Sequence, residues 1–209
     1  MIPPHRSEVD LIVLHGLRCC GASSLERLHA VVAPVVGGDV EDTLLALASQ
    51  GMVTSGGGPF GGWSVTATGR DTDAERIAAE LERAGARAEI QAAYGDFLPL
   101  NTRTLDLCGQ WQVRSFSQPL VLNDHADPAY DAGVLARLAG VDAEAQEICA
   151  RLAGRLQRFA HYGPRLDHAL ARAKAGERDM VSDSLDSYHS VWFQLHEDLL
   201  VTLGIPRHA

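Results

Sequence analysis

The chain has 209 residues, 46% hydrophobic and 22% charged, which excludes a disordered polymer and leaves room for one large domain or two small ones. Its formal charge is −9, with a single Lys (Lys174) among 18 basic residues, which excludes a protein held to nucleic acid by bulk positive charge. No apolar run approaches the roughly 20 residues of a membrane span, and the opening Met-Ile-Pro-Pro-His-Arg-Ser-Glu lacks an apolar leader, so a cytoplasmic chain with reduced thiols is expected.

Ser7 caps a first helix in which Val9, Leu11, Ile12, Leu14 and Leu17 recur at helical spacing, and Gly21 ends it. Ser23 and Glu26 have capping-box spacing and open a second short helix through Leu25, Leu28 and Val32. Pro34 and Gly37-Gly38 break the chain. Asp39 caps a third helix, Val40, Leu44 and Leu47 form its apolar stripe, and Gly51 stands at its C-terminal stop. Met52-Val53-Thr54 and Trp63-Ser64-Val65-Thr66 read as two short strands around a glycine-rich loop at 56–62. Thr68 caps the next helix, over 70–84, with Ile77 and Leu81 inward; Gly85 interrupts that helix or sits inside it.

The remainder reads as helices. Ile90, Tyr94 and Phe97 share a face until Pro99, and Leu105, Cys108 and Trp111 follow. Asp127 caps a helix with Pro128 at its first position. Val134, Leu135 and Leu138 belong to one helix, and Ile148, Leu152, Leu156 and Phe159 to another ending near 161–164. Leu166 and Leu170 lead a shorter helix to Gly176. The last helix carries Leu185, Tyr188, Trp192, Leu195, Leu199 and Leu203 at near-heptad spacing, a stripe long enough to suggest a homodimer.

Residues 7–70 resemble the winged-helix regulators of the MarR and PadR type. The resemblance rests on Val40, Leu44 and Leu47 leading into Gly51-Met52-Val53, and on Val65-Thr66-Ala67-Thr68-Gly69-Arg70 leaving the hairpin. It implies a mainly α (α+β) fold: a winged-helix domain over 1–87 with a short β-hairpin wing, and a C-terminal helical bundle over 88–209 that dimerises, senses a ligand, or both. It also implies a transcription regulator that lays its third helix on double-stranded DNA. Thr43, Ser49 and Gln50 on that helix, with Arg18 and Arg27 on adjoining elements, are the candidate DNA contacts. Asp39, Glu41 and Asp42 also crowd the helix start, where capping and the helix dipole favour carboxylates, and the loop from Ser55 to Gly62 carries no charge.

In the second domain Trp111, Tyr130, Tyr162, Tyr188 and Trp192, with His125, His189 and His196, are the candidate lining of a pocket for a small apolar or aromatic molecule. His189 and His196 lie seven residues apart, about 10 Å along a helix, too far to share one metal ion. Cys19, Cys20, Cys108 and Cys149 show no Cys-x-x-Cys spacing, and no nucleophile elbow or phosphate loop occurs. No catalytic residue, metal ligand or cofactor is therefore assigned. Two other classes fit the residues: a winged helix whose acidic third helix docks a basic protein, and a small helical enzyme using His125, His189 or His196.

Overall fold

A computed structural model of the protein describes residues 3–36, 38–56, 62–115 and 121–206. In chain order these form α1 (Val9–Cys20), α2 (Leu25–Val32), α3 (Val40–Ser49), β1 (Val53–Gly56), β2 (Gly62–Val65), α4 (Ala67–Arg83) and α5 (Arg87–Gln112). There follow β3 (Val113–Ser115), β4 (Val121–Leu122), α6 (Pro128–Ala153), a 3-10 turn (Gln157–His161), α7 (Tyr162–Lys174), α8 (Asp179–Ser182) and α9 (Tyr188–Leu203). The fold is mainly α with a small β part, in agreement with the sequence pattern. Among the described residues no helix is long and apolar enough to cross a membrane.

The chain divides into two compact units, one of Met1–Gln91, Arg151–His161 and Gln194–Ala209, the other of Ala92–Ala150 and Tyr162–Phe193. A single cut between 87 and 88 would leave residues 151–161 and 194–209 with the C-terminal part; here they belong to the first unit.

In the first unit Leu14, Leu17, Leu28, Val32, Leu44, Leu47, Val53 and Val65 share one apolar core. Asp39 caps α3 as its spacing predicts, its carboxylate accepting from the backbone N–H of Glu41 (2.8 Å) and Asp42 (3.1 Å). Gly51 takes a φ of 71° just beyond the helix, a conformation that suits glycine. β1 and β2 pair antiparallel with Val53 opposite Val65; residues 57–61 of the predicted loop lie outside the described residues.

Three predicted caps move. α1 begins after Glu8, which offers no side-chain bond, and Ser7 lies outside the cap. α2 is capped by Ser24, whose hydroxyl accepts from Arg27 N–H, because Ser23 is spent elsewhere. Its N–H and C=O pair with those of Trp63 at 3.0 and 2.8 Å, which keeps Ser23 extended and joins α2 to the hairpin. α4 is capped by Thr66 rather than Thr68: the Thr66 hydroxyl accepts from Gly69 N–H at 3.0 Å and donates to Gly51 C=O at 2.7 Å. One side chain thus ends the hairpin and starts the helix.

Two predicted breaks are absent. α5 runs through Pro99 without interruption, since buried Phe97 and Leu100 anchor it on both sides of the lost hydrogen bond. α6 is one helix of 26 residues where two were expected, held by a continuous inward row of Val134, Leu138, Val141, Ala145, Ile148 and Leu152. The β3–β4 hairpin and α8 have no counterpart among the predicted elements. On α9, Trp192, Leu195 and Leu199 are fully buried and Leu185 precedes the helix at 66% exposure. Of the stripe, Tyr188, Trp192, Leu195 and Leu199 lie in the chain's own core, while Leu185 is exposed and Leu203 half-buried.

Gly69 sets how closely α4 approaches the start of the hairpin. A Cβ there would fall 2.0 Å from the Met52 carbonyl oxygen, which is backbone and cannot rotate away. Gly69→Ala is expected to lower stability by about 1–3 kcal/mol in urea unfolding. A midpoint equal to wild type would show that α4 can lift from Met52 without cost.

Candidate functional site

The five predicted DNA contacts come from three segments: Arg18 from α1, Arg27 from α2, and Thr43, Ser49 and Gln50 from α3 and its C-terminal end. Thr43, Ser49 and Gln50 sit on α3 and bond to their own helix: Thr43 Oγ1 donates to Asp39 C=O (2.6 Å), and Ser49 Oγ (2.7 Å) and Gln50 Nε2 (3.2 Å) both donate to Ala46 C=O. The two arginines are committed inward. Arg18 donates to Arg70 C=O at 2.8 Å and to Asp73 Oδ2 at 3.1 Å. Arg27 donates to Ser23 Oγ at 3.0 Å and to Cys20 C=O at 3.4 Å, so it braces the strand-like bridge at Ser23. The outward face of α3 presents Asp42, Leu45, Ala46 and Ser49 one helical turn apart, with Leu45 at 55% exposure. All formal charge on α3 is negative; the nearest exposed basic residues in sequence are His29 on α2 and Arg70 on α4.

The first unit also holds a buried ionic cluster. α1 contributes His15, Arg18 and Cys19; α4 contributes Asp73 and Glu80, two turns apart on the same face as Ile77. Arg158 comes from the 3-10 turn, and Asp198 and Thr202 come from successive turns of α9. His15, Asp73, Glu80, Arg158, Asp198 and Thr202 are all buried. His15 Nδ1 lies 3.1 Å from both oxygens of Asp73, and its Nε2 lies 3.1 Å from Asp198 Oδ1 and 3.6 Å from Cys19 Sγ. Arg158 donates from Nε to Glu80 Oε2 (2.9 Å), from Nη1 to Asp198 Oδ1, and from Nη2 to Thr202 Oγ1 (2.6 Å). His5 Nε2 stands 3.8 Å from the other Glu80 oxygen.

Burial opposes a charged His15, yet the Asp73 and Asp198 carboxylates on either side of the ring outweigh it and hold the imidazole above its ordinary value. Burial would raise Asp198, but the Arg158 guanidinium and His15 reverse that and leave the carboxyl well below the usual range. With His15 protonated, Arg18, Arg158 and His15 balance Asp73, Glu80 and Asp198. Burial pushes the Cys19 thiol up, so it is protonated at neutral pH and no nucleophile despite its Cys–His–Asp surroundings. His15, Cys19 and Asp198 each offer a donor atom within 4.8 Å of the others, a set able to hold a metal ion. None of this cluster except Arg18 was singled out from sequence. Two signals were available: Asp73 and Glu80 share the inward stripe with Ile77, and His15 and Cys19 have the i, i+4 spacing of helical chelators.

Of the predicted pocket residues in the second unit, some lie in its core and others in or beside the loop before α6. Trp111, Tyr162, Tyr188 and Trp192 are almost wholly buried. Trp192 stacks on Phe97 (4.7 Å) and Tyr188 (6.1 Å), and its Nε1–H donates to Asn101 Oδ1 at 2.9 Å. Cys108 and Cys149 are packing thiols, each pushed up to about 12 by burial. Trp111 and His125 do meet, with ring centroids 4.7 Å apart. Tyr130 lies close by in sequence, its hydroxyl donating to Gln110 C=O (2.9 Å) and its ring covered by the Arg114 guanidinium.

His125 pairs through Nδ1 with Asp131 Oδ2 at 2.9 Å, while Asn123 donates to Asp131 Oδ1 at 2.9 Å. Among the described residues His125 is the sole non-glycine with positive φ, 59°, a costly conformation held by these bonds. His189 and His196 are half-buried, in the second and first units respectively. Clefts of about 350, 230 and 260 Å³ are present within the units, and of the predicted residues only Arg18 lines one of them. No known protein family, curated protein or solved structure matches the chain.

Two of the shifted groups in the cluster, His15 and Asp198, bound a pH window. A raised His15 contributes fully below its unfolded value of about 6.5 and loses that contribution as pH climbs through its folded value. A lowered Asp198 contributes above about 3.9 and loses it as pH falls through its folded value. Urea midpoints measured with chelator present should therefore peak between about pH 4 and pH 6.5, and His15→Gln should erase the decline between about pH 6.5 and pH 8.5, above which the raised Cys19 thiol adds its own. Arg158→Met, which strands Glu80 and Asp198 together, should cost about 3–5 kcal/mol at pH 6. An alkaline decline unchanged in His15→Gln would remove His15 from this account.

Proposed function

We propose that the protein is a winged-helix regulator of transcription that docks on double-stranded DNA through α3 and the β1–β2 hairpin. The observation that carries this reading is the order α1–α2–α3–β1–β2–α4, with α3 packed by Val40, Leu44 and Leu47 and its opposite face open. That order leaves a short helix and an adjoining hairpin available to a groove. Ser49 and Gln50 supply the hydrogen-bonding groups near the C-terminal end of that helix. Arg18 and Arg27 support the scaffold and leave the docking itself to other side chains. For the helical unit the reading adds the sensing of a small apolar or aromatic molecule, supported only by the meeting of the Trp111 and His125 rings.

One observation favours a second reading, docking of a basic protein on the same face. α3 carries Glu41 and Asp42 with no basic residue, around an exposed Leu45. Such a surface repels phosphates and attracts cationic side chains within a Debye length.

The two readings separate in a mobility-shift assay against the duplex upstream of the protein's own gene, at 50 and 200 mM salt. For DNA docking, Ser49→Ala and Gln50→Ala should each weaken binding about tenfold with unchanged thermal midpoints. Glu41→Gln/Asp42→Asn should strengthen it. Arg27→Ala would instead lower the thermal midpoint, because its guanidinium holds Ser23. No shift at 50 mM salt, for the wild type or the neutralised variant, would end the DNA reading and leave the protein partner.

A further inference from the structure

We propose that His15, Cys19 and Asp198 form a binding site for one divalent transition-metal ion of the zinc class. The three side chains come from α1 and α9 within the first unit, and all three are buried. One helical turn separates His15 from Cys19, which puts Nε2 and Sγ on one side of α1, 3.6 Å apart. Asp198 Oδ1 stands 3.1 Å from the same Nε2. In a tetrahedral site with metal–ligand bonds near 2.0–2.3 Å, neighbouring donor atoms lie about 3.3–3.6 Å apart. Two of the three edges, 3.6 and 3.1 Å, are close to that spacing before any ion is added, and the third lies within 4.8 Å.

A separate observation concerns the far side of the imidazole. His15 Nδ1 sits 3.1 Å from both Asp73 oxygens, and Asp73 is itself held by Arg18. Metal-bound histidines characteristically donate their other ring N–H to a carboxylate, which fixes tautomer and ring orientation. With Nδ1–H on Asp73, the free Nε2 lone pair faces Cys19 and Asp198. Thr202 Oγ1 steadies Asp198 in the same way, donating to Oδ1 at 3.0 Å.

Charge permits the exchange. A dication, the Cys19 thiolate and the Asp198 carboxylate sum to zero around a neutral His15. Arg18 then remains against Asp73, and Arg158 against Glu80 at 2.9 Å while its Nη1 still donates to Asp198 Oδ1 beside the metal. Binding sends the thiol and Nε2 protons to solvent, and the buried cluster stays neutral. A thiolate, an imidazole and one carboxylate favour zinc, with cobalt(II) as its spectroscopic substitute, over the hard oxygen-seeking cations. Full burial suits a structural ion that ties the C-terminal half of α9 to α1.

The test uses the full-length protein, stripped with chelator and titrated with cobalt(II). One equivalent should produce a thiolate-to-cobalt charge-transfer band with tetrahedral d–d absorption, and zinc should discharge it. Cys19→Ser should lose the charge-transfer band and weaken zinc binding by at least a hundredfold, while the neighbouring Cys20→Ser keeps both. Asp73→Asn should retain the band but weaken affinity 10–100-fold. Added zinc should raise the melting temperature of wild type and leave that of Cys19→Ser, a near-isosteric change, where it was. A folded wild type with no cobalt band, or a band that survives Cys19→Ser, would overturn the proposal.

Discussion

Arg158 is the residue on which the first unit turns. Its guanidinium reaches Glu80 on α4 and Asp198 and Thr202 on α9, while Asp198 passes the contact to His15 on α1. Four segments separated by up to 183 positions in sequence (His15 to Asp198) are thereby bound into one unit. An ionic cluster of this kind adds little net stability over a well-packed apolar core, since desolvation consumes most of the Coulombic gain. Its worth lies in specificity: a shifted register of α4 or α9 would strand a buried charge. The segment 151–161 and the end of α9 belong with the N-terminal helices for this reason, despite their distance along the chain.

This arrangement changes what the arginines of the small helical domain are for. Arg18 donates to the exposed Arg70 carbonyl and the buried Asp73 carboxylate, and Arg27 to the part-buried Cys20 carbonyl and the buried Ser23 hydroxyl. Desolvated donors with good partners are not released to a weaker, salt-screened contact outside. The open face of α3 is acidic at its start and apolar at Leu45.

The second unit repeats the lesson with aromatics. Tyr188 and Trp192 stack in a row with Phe97, and the Trp192 indole N–H is bonded to Asn101, so the rings act as core. The unusual chemistry sits instead in the loop before α6. There the left-handed conformation of His125 turns its ring onto Trp111 and its Nδ1 onto Asp131. Asp124, adjacent in sequence, is not the partner; a helical turn of α6 brings Asp131 there.

Periodicity and local capping were legible in the chain alone. The apolar stripe of α3, its Asp39 cap, the Gly51 stop, the short strand pair and the mainly α class follow from interactions spanning a few residues, which a linear sequence displays directly. Cap positions that moved did so through a distant partner: Ser23 was withdrawn by Trp63, and the helix start shifted to Ser24. Continuity through Pro99 and along α6 came from buried side chains on neighbouring elements, which outweigh one lost hydrogen bond or a weak helix former. The functional cluster was the least visible. His15, Asp73, Glu80, Arg158 and Asp198 each look like ordinary polar residues on their own helix. Only packing sets them facing one another, because a buried charge is tolerable solely where tertiary structure delivers its counter-charge.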